Sequence, residues 1–139
     1  MEIINDFQFP RKFWAVGAYF NDAGVDKSND FFIRKIWFDG WAELGNDLRD
    51  KPQLDSVQNN DIFVLKSKAT KNKIEPFTRL KAIGVVTERK SISTFAVNWY
   101  KGIRFPIDFD GILYMKTIEE LREDELLTYV KSFVEKLKL

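Results

Sequence analysis

Between Asp61 and Tyr100 the chain carries three runs that suit a β-sheet: DIFVLKS, RLKAIGVVTERK and ISTFAVNWY. Val64, Leu65, Ile83, Val85, Val86, Phe95, Val97 and Trp99 supply the β-branched and aromatic side chains that a pleated, buried surface favours. A lysine-rich connection, Ala69 to Lys73, joins the first two runs. A sheet is therefore the centre of any fold open to this chain, and at 139 residues there is room for one core around it.

The flanking segments fix the class. Lys12 to Phe20, KFWAVGAYF, is a continuous apolar run that reads as a buried first strand, with Gly17 marking a bulge or a close backbone approach. Ser28-Asn29-Asp30 precedes FFIRKIWFDGW, which predicts a helix from about Asp30 to Phe38 ended by Gly40. Glu43 to Asn60 reads as an irregular connection with a short helix near Leu54 to Gln58, and such long connections are often functional. Lys101 to Gly111 is turn-rich, Pro106 being barred from a central strand, and Ile112 to Lys116 is a candidate short strand. Thr117 to Glu120 fits a capping box that opens a helical end. Leu126, Leu127, Val130, Phe133, Val134 and Leu137 form the apolar stripe of a C-terminal amphipathic helix. The expected fold is one α+β domain over residues 1–139: a small, curved, mostly antiparallel β-barrel with flanking helices.

Charge is segregated although the formal net charge is only +1. From Lys66 to Arg104 there are ten basic residues against two acids, whereas residues 1–50 hold nine acids against six bases. Such segregation creates a local positive field on a nearly neutral molecule, or protects a strand edge with solvated lysines.

The chain has no histidine and no cysteine. Ser-His and Cys-His nucleophile pairs, the HExxH zinc helix, the His/Cys deaminase site and disulfides are thereby excluded. No cofactor or metal is expected. Asp108 and Asp110 could share a metal, but their FPIDFDG setting reads as turn, and Asp22, Asp26 and Asp30 read as turn and capping residues. No run approaches the roughly 20 apolar residues of a membrane span, so a cytoplasmic protein with no membrane partner is expected.

Binding chemistry has better candidates. Lys66, Lys68, Lys71 and Lys73, with the hydroxyls of Ser67 and Thr70, lie on and after one strand and suit phosphate contacts that position a nucleic acid without reading its sequence. Lys101 and Arg104 extend this basic set beyond the third strand. Flat apolar walls are needed to hold an extruded base, with a few polar groups aimed at its edge. Trp14 reads as core. Trp37 and Trp41 bracket the expected helix end, and Trp99-Tyr100 adjoins Lys101, where core and site readings stay open.

These residues together resemble a family. FWAVGAYF, Asp61 at the head of DIFVLKS, Lys66-Ser67-x-x-Thr70-Lys71, KAIGVVTE and Val97-Asn98-Trp99 are similar in order and spacing to the PUA-like superfamily, most of all to EVE-type modules of modified-cytosine-dependent restriction systems. The resemblance covers about residues 12 to 116; Asn60 stands where a glycine is expected. It implies a small β-barrel that binds nucleic acid, in several members by holding a modified base in an aromatic pocket. It also implies that Lys66, Ser67, Thr70 and Lys71 line the backbone-contacting or pocket-rim loop and that Trp37, Trp41 and Trp99 are candidates for the pocket wall; apart from the resemblance, specificity is expected from polar groups near Ser67, Asn98 or Tyr19, with Tyr100 in the same base pocket.

The resulting expectation is a non-enzymatic reader of modified DNA bases in a restriction or defence system. Its motor or nuclease part would lie on another chain or in a segment outside these residues. The rival expectations are an RNA-binding PUA-like protein and a protein-interaction domain that uses the C-terminal helix.

Overall fold

The computed structural model describes residues 11–20, 25–71, 75–102 and 105–139, and of residues 19, 20, 25, 44, 69–71 and 75 the backbone alone. The fold is α+β, a curled, mixed but mostly antiparallel sheet with helices around it. The strands are β1 (Phe13–Gly17), β2 (Tyr19–Phe20), β3 (Val25–Asp26), β4 (Ile36–Phe38), β5 (Ile62–Lys71), β6 (Glu75–Arg89), β7 (Thr94–Tyr100), β8 (Ile107–Asp110) and β9 (Ile118–Glu120). The helices are α1 (Ser28–Arg34), α2 (Gly40–Gly45), α3 (Lys51–Ser56) and α4 (Glu125–Leu137). Among the described residues no helix is long and apolar enough to cross a membrane.

The 15-residue β6 organises the sheet, whose order is β4-β7-β6-β5-β1-β9. One edge of β6 pairs with β5 over almost its whole length; the other pairs first with β8 and then with β7. Two register shifts leave Lys81 and Thr87 as the extra residues of β6, and such bulges bend a strand and increase its twist. β1 runs parallel to β5, and the other paired strands are antiparallel.

Both faces of this sheet are covered, which is why β1 and the start of β5 are continuous apolar runs rather than alternating ones. Trp14, Val16, Phe63 and Leu65 point into a core shared with Phe31, Trp37, Leu54 and Phe95. Ala15, Ile62, Val64 and Ile83 point the other way, onto Leu126, Val130 and Val134 of α4. Gly17 has the close approach expected of it, its carbonyl accepting the Trp37 indole N–H at 2.9 Å.

Several boundaries differ from the sequence expectation. The helix expected over Asp30 to Phe38 ends at Arg34, where Lys35 turns into the left-handed region (φ 57°), and Ile36–Phe38 pair with β7 as strand. Gly40 opens α2 instead of closing a helix, with Asp39 as the cap that accepts the Trp41 N–H. The Ser28-Asn29-Asp30 cap is also corrected: α1 begins after Lys27 without a side-chain cap, while Ser28 N–H donates to Asp26. The short helix lies earlier, at Lys51–Ser56, with Pro52 in its first turn.

Thr117 to Glu120 is no capping box, because Ile118–Glu120 form the edge strand beside β1. The cap of α4 is Asp124, which accepts the Leu127 N–H at 2.9 Å. Ala69 to Lys71, expected as loop, continue β5 in pairing with the start of β6. The late strand is Ile107–Asp110 rather than Ile112 to Lys116, with Pro106 just before it.

Candidate nucleic-acid interface

Neither of the two clefts found among the described residues is lined by a tryptophan. Trp14 is sealed in the core, and its indole N–H donates to Asp61 at 2.9 Å. Trp37 is fully buried, packed edge-on against Phe63 at 5.4 Å and stacked near Phe95 at 6.5 Å, so it has no face to offer a base. Trp41 is half-buried: its N–H is taken by Thr117 Oγ1 and the Arg49 guanidinium lies 3.5 Å from its ring centroid. The half-buried Trp99 donates to the Ile36 carbonyl and meets the Phe32 ring edge-on at 5.9 Å. Burial of Trp37 corrects its expected place in a pocket wall, and Trp14 is core as expected, while Trp41 and Trp99 each keep part of their surface exposed.

The lysine rim is likewise redistributed. Lys66 is buried on the face of the sheet shared with Ile62 and Val64, and its ammonium donates to the carbonyls of Tyr114 (2.8 Å) and Lys116 (2.7 Å). Burial lowers its pKa to about 8, against the pull of Glu119. It is a strap on the segment that leads into β9, and Ser67 is buried beside it; neither side chain can reach a phosphate. Lys68 is exposed. For Tyr19, Thr70 and Lys71 only the backbone is described, and Lys73 and Arg104 lie outside the described residues.

Asn98 is exposed and donates to the Tyr100 hydroxyl at 3.1 Å. Tyr100 and Lys101 end β7 where it meets two clefts, and Lys101, Gly102 and Phe105 line both. The larger cleft, about 720 Å³, is walled by the Phe32 and Phe105 rings and carries three cations, Arg79, Lys81 and Lys101. Asp26, Ser28 and Asn29 supply its polar groups.

Strand pairing explains how these residues meet. Arg79 faces Asp108 across the β6–β8 pair and binds its carboxylate through Nε (2.9 Å) and Nη2 (3.2 Å). Lys81, the extra residue at the bulge, reaches Asp26 Oδ2 at 2.6 Å and Ser28 Oγ at 3.4 Å. Burial raises the Asp26 pKa, but hydrogen bonds from Lys81 and Ser28 outweigh it and hold the carboxyl below its ordinary range. Lys101 Nζ lies 5.0 Å from the Phe32 ring centroid, a cation over an aromatic face. The arrangement can attract an anion and lay a flat ring against phenylalanine.

Sequence reading missed Phe32, Phe105, Ser28 and Asn29 as site residues and assigned Asp26 to a turn. Arg79 and Lys81 were visible only as members of the basic stretch. A contiguous motif could not reveal this cleft, because it joins three separate segments through sheet register.

A second polar cluster lies elsewhere. Asp39 and Asp50 are buried with one carboxyl oxygen each left without a hydrogen-bond donor. Burial and the facing Asp50 push the Asp39 pKa up to about 7. Among the described residues no group of three or more acidic side chains is placed to hold a metal ion.

No protein-family model matches the chain, and no curated protein matches its sequence.

Proposed function

We propose that this chain is a nucleic-acid-binding module without catalytic chemistry of its own. It binds DNA ahead of RNA and reads a modified, unpaired base within a restriction or defence system whose motor or nuclease activity lies outside these 139 residues. One observation carries the reading: Arg79, Lys81 and Lys101 converge with Phe32 and Phe105 on a single cleft at the end of β7. Cations that meet phosphate beside rings that stack on a base are the two parts of single-strand recognition. Asn29 and Ser28 supply polar groups for the base edge. The motif order shared with EVE-type modules supports the assignment to DNA and to modified bases, with the pocket walls moved from tryptophan to phenylalanine.

Fluorescence anisotropy with matched deoxy- and ribo-oligonucleotides, each with plain or modified cytosine, tests the reading. The expected result is tighter binding of the modified deoxy strand and a loss of about 1–3 kcal/mol in Phe32→Ala, the scale of one stacked base. Equal affinity for all four strands, unaffected by that substitution, would reject it.

A further inference from the structure

We infer that the smaller cleft, between α4 and the connection from β7 to β8, is a second ligand site, shaped for a small planar apolar ring that bears one anionic group. Its volume of about 430 Å³ falls within the range of about 300–1,000 Å³ typical of small-molecule sites.

α4 carries two apolar stripes. Leu126, Leu127, Val130 and Val134 are buried against the sheet. Tyr129, Phe133 and Leu137, four residues apart, form a second stripe that lines the cleft, with the half-buried Tyr129 and Phe133 packed against the edge of this core. The opposite wall is Tyr100 and Phe105, and Phe105 approaches Phe133 at 5.5 Å between ring centroids. Flat aromatic walls favour a flat ring between them, since stacked and edge-on contacts add to the burial of apolar area.

The charge of the lining sets the rest of the ligand. Among the described residues that line it, the charged groups are Lys101 and Lys136, none is an aspartate or glutamate, and Ser132 contributes a hydroxyl. Lys101 leans toward Phe32 on the neighbouring cleft, which leaves Lys136 as the cation to meet an anion here. The inference does not depend on the nucleic-acid reading, because Tyr129, Ser132, Phe133 and Lys136 line only this cleft.

The test uses the 139-residue chain and two fluorescent probes, 1-anilinonaphthalene-8-sulfonate and N-phenyl-1-naphthylamine, the same ring system without the sulfonate. Saturable binding of both is expected, with the sulfonate preferred about threefold, the scale of one screened charge contact. Lys136→Met removes the preference and keeps the neutral probe bound. Ser132→Trp, at an exposed helix position, fills the cleft and abolishes binding of both probes while the melting temperature stays within a few degrees. Fluorescence that rises without saturation, or two variants that bind both probes as the parent does, would overturn the inference.

Discussion

The Asp61 carboxylate accepts the indole N–H of Trp14 at 2.9 Å, and the same buried group takes the backbone N–H of Lys12 and of Gln58, both at 3.0 Å. The aspartate that heads the DIFVLKS run thus ties β1 to β5 at the point where the two strands lie parallel. Just before it, Asn60 adopts φ 78°, a left-handed conformation that asparagine tolerates and glycine adopts freely. The residue expected to be glycine is an asparagine that meets the same backbone demand.

Asp61→Ala leaves the buried Trp14 indole N–H and the part-buried N–H groups of Lys12 and Gln58 without their acceptor, and a buried unpaired donor costs about 1–3 kcal/mol. Chemical denaturation is expected to register a loss of about 3 kcal/mol or more. A loss under 1 kcal/mol would mean that water replaces the carboxylate and that the tie is incidental.

The Asp39 and Asp50 pair predicts a pH dependence. A carboxyl whose pKa is raised in the folded state, from an ordinary 3.8 to about 7, binds a proton that the unfolded chain has released. Its contribution is therefore present in full below about pH 4 and is lost as pH rises to about 7. Asn can retain the cap on α2, so Asp39→Asn should melt higher than the parent at pH 8. That difference should shrink toward pH 4. A difference that is flat across this range would show that burial beside Asp50 does not raise the Asp39 carboxyl.

Gly84, the glycine of KAIGVVTE, leaves room that Trp99 and Val97 occupy. An added Cβ would stand 2.7 Å from Trp99 Cε3 and closer still to Val97 Cγ1, both on the neighbouring β7. Overpacking of this kind costs about 1–3 kcal/mol. Because Trp99 braces Phe32, Gly84→Ala is also expected to weaken oligonucleotide binding beyond the loss in stability, as read by anisotropy at a temperature where the variant is fully folded. Unchanged affinity would separate Trp99 from the cleft.

Lys66 and Lys101 are expected to behave oppositely. Lys66→Met strips the donor from the buried Tyr114 carbonyl and the part-buried Lys116 carbonyl and should lower the melting temperature without changing the salt dependence of binding. Lys101→Met should leave the melting temperature nearly unchanged and flatten that dependence. The reverse pattern would return the interface to β5.

Much of the fold was legible because the strands announce themselves. β5, β6 and β7 follow from their β-branched and aromatic runs, and α4 from its apolar stripe. The misreadings have physical causes. Phe32 and Ile36 have helical spacing, but a left-handed Lys35 between them hands Ile36 to the sheet. Thr117 and Glu120 have capping-box spacing, yet the free edge of β1 claims the segment as strand. The two-residue period of β5 already places Lys66 on the face of Ile62 and Val64, so its burial could have been inferred from alternation. The depth of each tryptophan could not, since an indole has the same sequence signature in a core and in a pocket. Nor could the cleft, which depends on a bulge that turns Lys81 toward Asp26.

The most direct test is the salt dependence of affinity for a single-stranded deoxyoligonucleotide between 50 and 200 mM salt. With a slope of about −0.7 per phosphate neutralised on a single strand, engagement of Lys101 predicts a negative slope of log K against log salt that becomes shallower by about 0.7 in Lys101→Met. Failure to bind, or an identical slope in that variant, would contradict a nucleic-acid interface at the end of β7.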